Sequence, residues 1–79
     1  MKPLHLYVQS NTWQRKVILI AMYHNYHKMN NKNWTIKETA AYFHISIGLA
    51  SENLRLFKQW NEVKDCETRK DALIRLSKI

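Results

Sequence analysis

Residues 35–56 read TIKETAAYFHISIGLASENLRL, and this stretch decides the fold. Thr35 and Glu38 have the spacing of a capping box, in which the Thr hydroxyl accepts from a backbone N–H and the Glu side chain reaches back to the cap. One face of the following segment is apolar at helical spacing: Ile36, Ala40 and Phe43. The stretch therefore predicts a helix that begins just after Thr35.

A turn and a second helix follow within the same stretch. His44 is expected to end the first helix in the left-handed conformation, which His adopts more readily than most non-glycine residues. Ser46 is the predicted cap of the second helix, which should run from Ile47 to Trp60. Its broad apolar side comprises Ile47, Leu49, Ala50, Asn53, Leu54, Leu56, Phe57 and Trp60. Its polar side, within about 120°, comprises Gly48, Ser51, Glu52, Arg55, Lys58 and Gln59.

The first eleven residues have a different pattern. Leu4, Leu6 and Val8 alternate with His5, Tyr7 and Gln9. This period of two is typical of a strand and not of a helix. A short strand or an extended arm is therefore predicted within residues 1–11.

A long helix is expected next. Ser10 or Asn11 is its predicted cap, and the helix should begin near residue 12 and run to about residue 29. Between Val17 and Tyr23 it is apolar on every side. It must therefore be covered on more than one face, either by the other helices or by a second copy of the chain.

The remaining segments complete the predicted core. Residues 30–33 are polar and should form a loop, because Asn hydrogen-bonds to its own backbone in turns. Thr68 and Asp71 again fit a capping pattern. The final helix should turn three residues inward: Ala72, Leu73 and Leu76. The sequence thus predicts one domain over residues 1–79, an all-α bundle of four or so helices.

The chain is strongly basic. Thirteen Lys and Arg residues against six Asp and Glu residues give a formal net charge of +7, which favours a polyanionic partner. Residues 1–34 contain no acidic residue and five basic ones: Lys2, Arg15, Lys16, Lys28 and Lys32. A basic surface can also be merely solvated, so the charge requires a motif beside it before it indicates a function.

Cysteine content and hydropathy limit the compartment. Cys66 is the only cysteine, so no disulfide can form within the chain; a reducing compartment is expected, with this thiol packed as a small hydrophobe. The longest apolar run, Val17 to Tyr23, is too short to span a bilayer and lies in mid-sequence, unlike a secretory signal. We therefore expect a cytoplasmic protein without a membrane partner.

The stretch quoted above resembles the helix-turn-helix of DNA-binding proteins, in which two helices are joined by a short turn. Ala40 matches the small residue at which the family's two helices cross, and Phe43 and Ile45 match the apolar anchors around the turn. Ser46 matches the start of the recognition helix, and Ala50 and Leu54 match its inward positions. Residues 51–63, SENLRLFKQWNEV, are similar to the segment that follows the motif in ParB-type partition proteins. Two departures stand out: His44 replaces the usual Gly, and Ile47, Gly48 and Leu49 occupy positions that are commonly polar or basic.

This resemblance implies sequence-specific binding of double-stranded DNA, with the second helix in the major groove and the first across the backbone. The candidates for the groove are Ser46, Ile47, Gly48, Ser51, Glu52 and Arg55, of which Arg suits guanine and Glu suits cytosine. The candidates for phosphate contacts are Thr35, Lys37 and Lys58. We expect a nucleoid-associated homodimer that reads half-sites about one helical turn apart, as a transcriptional regulator or an accessory factor of a phage or mobile element.

Other functions were weighed against this one. The first alternative is a protein-protein interaction module that offers Ile47 and Leu49 to a partner, and the second is a binder of RNA or single-stranded DNA. His24 and His27 lie three residues apart on a helix, but no further ligand accompanies them, so no metal is expected. No cofactor motif, paired carboxylates or nucleophile with its base occur, so we expect no enzyme.

Overall fold

The computed structural model of the chain describes residues 3–78, which contain six helices and no strand. The helices are α1 (Pro3–Gln9), α2 (Trp13–Asn30), α3 (Ile36–Tyr42), α4 (Ile47–Lys58), α5 (Trp60–Val63) and α6 (Arg69–Leu76). The all-α fold class predicted from the sequence is confirmed. The two helices beyond the expected four are α1 and α5.

The predicted N-terminal strand or arm is wrong for the described residues, because residues 3–9 form the helix α1. Met1 and Lys2 lie outside the described residues. Tertiary packing selects the helix: the Tyr7 ring lies 5.4 Å from the Phe43 ring, between centroids, and the Lys16 ammonium lies 5.1 Å from the Tyr7 centroid. A period of two over five residues is too short to outweigh such contacts.

The N-cap of α2 lies one or two residues later than predicted. Thr12, in place of Ser10 or Asn11, is the N-cap, and its side chain accepts from the Arg15 N–H at 3.2 Å. Ser10 instead donates to the Leu6 carbonyl at the end of α1. The neighbours α1, α3 and α4 cover several sides of α2. They leave a strip of its surface uncovered.

The helices α3 and α4 are joined by residues 43–46, and their local predictions are confirmed. Thr35 and Glu38 form the capping box, His44 has φ of 56°, and Ser46 accepts from the Leu49 N–H at 3.0 Å. The Ile45 N–H donates to the Ala40 carbonyl at 3.0 Å, which closes the end of α3. The predicted second helix is interrupted at Gln59, whose ψ of 34° separates α4 from α5.

A continuous apolar core joins α2, α4, α5 and α6. Its buried members are Val17, Leu56, Val63, Cys66, Ala72 and Leu76. The predicted packing of Cys66 as a small hydrophobe is confirmed, as is the predicted cap of α6, since Thr68 accepts from the Asp71 N–H. Trp13 and Trp60 close one end with ring centroids 5.6 Å apart. This core fixes one side of α4 and leaves the other side to solvent.

Candidate functional site

The outer surface of α4 is a narrow strip, which we call the α4 face. Its five exposed residues are Ile47, Gly48, Ser51, Arg55 and Lys58. On a helical wheel they fall within about 100°, directly opposite the buried Ala50, Asn53 and Leu56. All five belong to the predicted site, so the structure brings together the larger part of that set on one exposed surface.

The α4 face carries positive charge and no acid. Arg55 and Lys58 are exposed in the last turn of α4, where cations also interact favourably with the helix dipole. Within residues 3–78 the two ion pairs are Arg69–Glu52 and Arg75–Asp65, so neither Arg55 nor Lys58 is in one. Their charges are therefore available to an anion from outside the chain.

Glu52 lies at the margin of the α4 face and is held by another helix. Its carboxylate is in an ion pair with Arg69 of α6, and the same guanidinium donates through Nε to the side-chain carbonyl of Asn53 at 3.2 Å. Asn53 is buried, so this hydrogen bond also satisfies a polar group inside the core. Sequence reasoning missed Arg69, because no local pattern links residues 16 or 17 positions apart.

Gly48 lies at one edge of the α4 face, in the first turn of α4. A Cβ built at this position would have nothing within 4 Å. The fold therefore does not require glycine here, and its backbone is neither crowded nor in the left-handed region. The missing side chain leaves room for close approach from outside.

The remaining site candidates lie at helix starts. Ser46 is exposed and caps α4, while Thr35 is exposed and caps α3, so both hydroxyls already have a structural role. Lys37 is exposed in the first turn of α3. Ser46 adjoins the α4 face at the start of α4, whereas Thr35 and Lys37 lie at the start of α3, at the opposite end of that helix from the turn.

A buried polar contact fixes α3 against α2. His24 Nδ1 lies 2.7 Å from Thr39 Oγ1, and the Trp34 indole N–H donates to the same hydroxyl at 2.7 Å. Burial, with a smaller contribution from the positive charge of Lys28, lowers the pKa of His24 below its usual 6.5. His24 is therefore a structural, neutral side chain around neutral pH.

His27 and three aromatic residues, Tyr23, Trp34 and Tyr42, form a stacked cluster beside this contact. His27 stacks on Trp34 with centroids 4.4 Å apart, and Tyr23 stacks on Tyr42 at the same distance. Burial, and then the neighbouring Tyr42, raise the pKa of the Tyr23 hydroxyl. No group of three His, Cys, Asp or Glu side chains that could hold a metal ion occurs among the described residues.

Two predicted orientations on α4 need correction. Ile47, predicted on the apolar side, is 52% exposed, because it lies at the edge of that side, next to Ser51 and Lys58 on the helical wheel. Leu54 was expected to face the core and is only half-buried, whereas Ala50 is fully buried as predicted. Leu56 is the fully buried leucine of α4.

No protein-family model, curated protein or solved structure matches this chain. Within residues 3–78, none of the helices combines the length and the apolar character needed to cross a membrane. The functional argument therefore depends on the residues and geometry described above.

Proposed function

We propose that this protein binds double-stranded DNA in a sequence-specific manner, as a helix-turn-helix protein that inserts α4 into the major groove. The observation that carries the proposal is the α4 face: an exposed, acid-free strip with Arg55 and Lys58, on the second of two helices joined by a short turn. In helix-turn-helix proteins this helix reads base edges while the first helix crosses the backbone.

The residues of this surface suit different contacts with DNA. Arg55 can donate two hydrogen bonds to one guanine edge, and Ser51 can pair with several bases. Lys58, Lys37 and Thr35 suit phosphate oxygens, which position a protein without specifying sequence. Glu52 is engaged by Arg69, so a contact from Glu52 to cytosine would compete with an internal ion pair. Base reading would then depend chiefly on Arg55.

The proposed role is that of a transcriptional regulator or an accessory factor of a phage or mobile element. Its support is compositional: a small basic chain, rich in Asn, Lys, Ile and Tyr. A protein with this role would be associated with the nucleoid in the cytoplasm.

Retention on immobilised random duplex DNA tests the proposal. The chain should be retained at low salt and released as salt rises, with a log-log slope of affinity of about −0.9 for each phosphate neutralised. Selection of bound sequences from a random duplex pool should then enrich a motif. A chain that is not retained, or whose affinity does not change with salt, contradicts the proposal. Enrichment of single strands over duplexes would indicate the RNA or single-strand alternative.

One observation favours a different function. Ile47 exposes 52% of its surface at the start of α4, where a DNA-reading helix commonly offers a polar side chain. A protein partner could cover Ile47 on the same fold, since a fold does not determine function. This alternative would be established if the protein bound no duplex and if a purified protein partner bound the wild type but not Ile47→Ser.

A further inference from the structure

One side of α2 is apolar and exposed over most of the helix. The residues that define this α2 stripe are Leu19, Met22, Tyr26 and Met29, with Met22 61%, Tyr26 64% and Met29 86% exposed. Their spacings of three, four and three residues are those of the apolar seam along which two helices pack side by side. Among the described residues, Leu19 is half-buried near α1, and no other helix covers Met22, Tyr26 and Met29.

The two ends of the α2 stripe have complementary shapes. At the N-terminal end, α1 and α2 enclose an open cleft of about 400 Å³, which we call the α1–α2 cleft. It is lined by Leu6, Gln9, Ser10, Arg15, Ile18, Leu19 and Met22. At the C-terminal end, Tyr26 and Met29 project into solvent. A second copy that lies in the opposite direction would bring the projection of each copy to the hollow of the other.

The charge at the N-terminal end of α2 also favours an antiparallel arrangement of the two copies. Arg15 lies in the first turn of α2, which itself contains no acidic residue and where the helix dipole is positive and disfavours a cation. In a parallel pair, Arg15 would also face its own counterpart. In an antiparallel pair, it would lie near the C-terminal carbonyl groups of the other α2, whose partial negative charge favours a cation.

We propose that two copies of this chain pair through antiparallel α2 helices. In the register that uses the whole α2 stripe, Met22 lies against Tyr26 of the second copy, and Leu19 lies against Met29 of the second copy. Each Met29 then enters the α1–α2 cleft of the other copy. Because the same contacts occur twice about a two-fold axis, the surface is complementary to itself.

This pairing leaves the α4 face free. Val17 packs with Leu56 of α4 on the side of α2 that is roughly opposite the α2 stripe, and the α4 face looks away from α2. The two α4 faces would therefore lie on the outer sides of the dimer, not next to each other. The pairing proposal does not depend on DNA binding, and it differs from the expectation of adjacent half-sites on one duplex.

Analytical sedimentation of Met22→Lys tests the pairing. The wild type should sediment as a dimer at micromolar concentration, and Met22→Lys as a monomer with unchanged helical circular dichroism, because Met22 is mostly exposed within one copy. Asn61→Lys adds the same charge at an exposed site of α5 and should remain dimeric. A monomeric wild type, or a Met22→Lys variant that stays dimeric, overturns the proposal.

Disulfide trapping tests the direction and register with nearly native chains. Met22→Cys and Tyr26→Cys chains, mixed and oxidised, should form several-fold more cross-linked dimer than either variant alone, because a disulfide requires Cα atoms about 4.4–6.8 Å apart. Wild type is the control, since its single thiol, Cys66, is buried. More cross-linking within either variant alone than in the mixture would overturn the antiparallel register. Retention on DNA by monomeric Met22→Lys would show that the two surfaces act separately.

Discussion

The α4 face and the α2 stripe are both exposed helix surfaces, yet their chemistry is opposite. The α4 face carries the positive charges of Arg55 and Lys58, whereas the α2 stripe carries Leu19, Met22, Tyr26 and Met29. Both are left uncovered by the same core, which takes the inward side of each helix. Exposure alone therefore does not assign a role: positive charge suits the α4 face to a polyanion, and apolar area suits the α2 stripe to another helix.

Removing a core residue between the two surfaces should have the largest effect. Leu56 is fully buried, so Leu56→Ala should lower the free energy of unfolding by about 2–5 kcal/mol and weaken both surfaces together. Leu54→Ala should cost less, because Leu54 is half-buried. Urea denaturation of both variants measures the difference. Equal losses of unfolding free energy in the two variants would show that Leu56 is not more deeply buried than Leu54.

Arg55→Ala should separate the two surfaces. It should weaken DNA binding by about 1–3 kcal/mol if Arg55 makes a bidentate base contact, and leave the melting temperature and the oligomeric state unchanged. Lys70→Ala is the control, since it removes one positive charge from an exposed site on α6. If both variants lose the same affinity, net charge and not the α4 face determines binding. If Arg55→Ala melts much earlier, Arg55 is structural.

Gly48→Ala should move stability and binding in opposite directions. An added methyl group meets nothing within the chain, and Ala is favoured over Gly in a helix by at most about 0.5–1 kcal/mol at this first-turn position, so the variant should melt slightly later. Its affinity for DNA should fall if the duplex backbone or base edges approach Gly48 closely. Melting curves and a binding titration measure the two effects. Unchanged affinity would remove Gly48 from the interface.

Lowering the pH should weaken the packing of α3 against α2, with a smaller effect than the substitutions above. Because the pKa of His24 is lowered in the folded chain, the unfolded chain binds more protons as the pH falls through 6.5, and stability decreases below that pH. The melting temperature should therefore fall between about pH 7 and pH 5, more steeply in the wild type than in His24→Gln. His5→Gln, at an exposed position, should keep the wild-type slope. Parallel slopes in all three would show that His24 does not contribute.

Local features of this fold could be predicted because their causes lie within a few residues. The capping hydroxyls of Thr35, Ser46 and Thr68 bond to backbone groups three positions ahead, and His44 adopts its left-handed conformation at the end of one helix. Helical periodicity likewise predicted four of the nine site candidates on the polar side of α4: Gly48, Ser51, Arg55 and Lys58. Their binding to DNA remains a prediction.

Other features were decided only by the tertiary structure. Residues 3–9 form α1 because Tyr7 packs against Phe43, and Glu52 is restrained because α6 brings Arg69 beside it. Helical periodicity alone could not show which side of the all-round apolar α2 would stay exposed, since α1, α3 and α4 choose the covered sides. The physical reason is range: hydrogen bonds within a turn are specified by adjacent residues, whereas packing and ion pairs join residues that are distant in sequence.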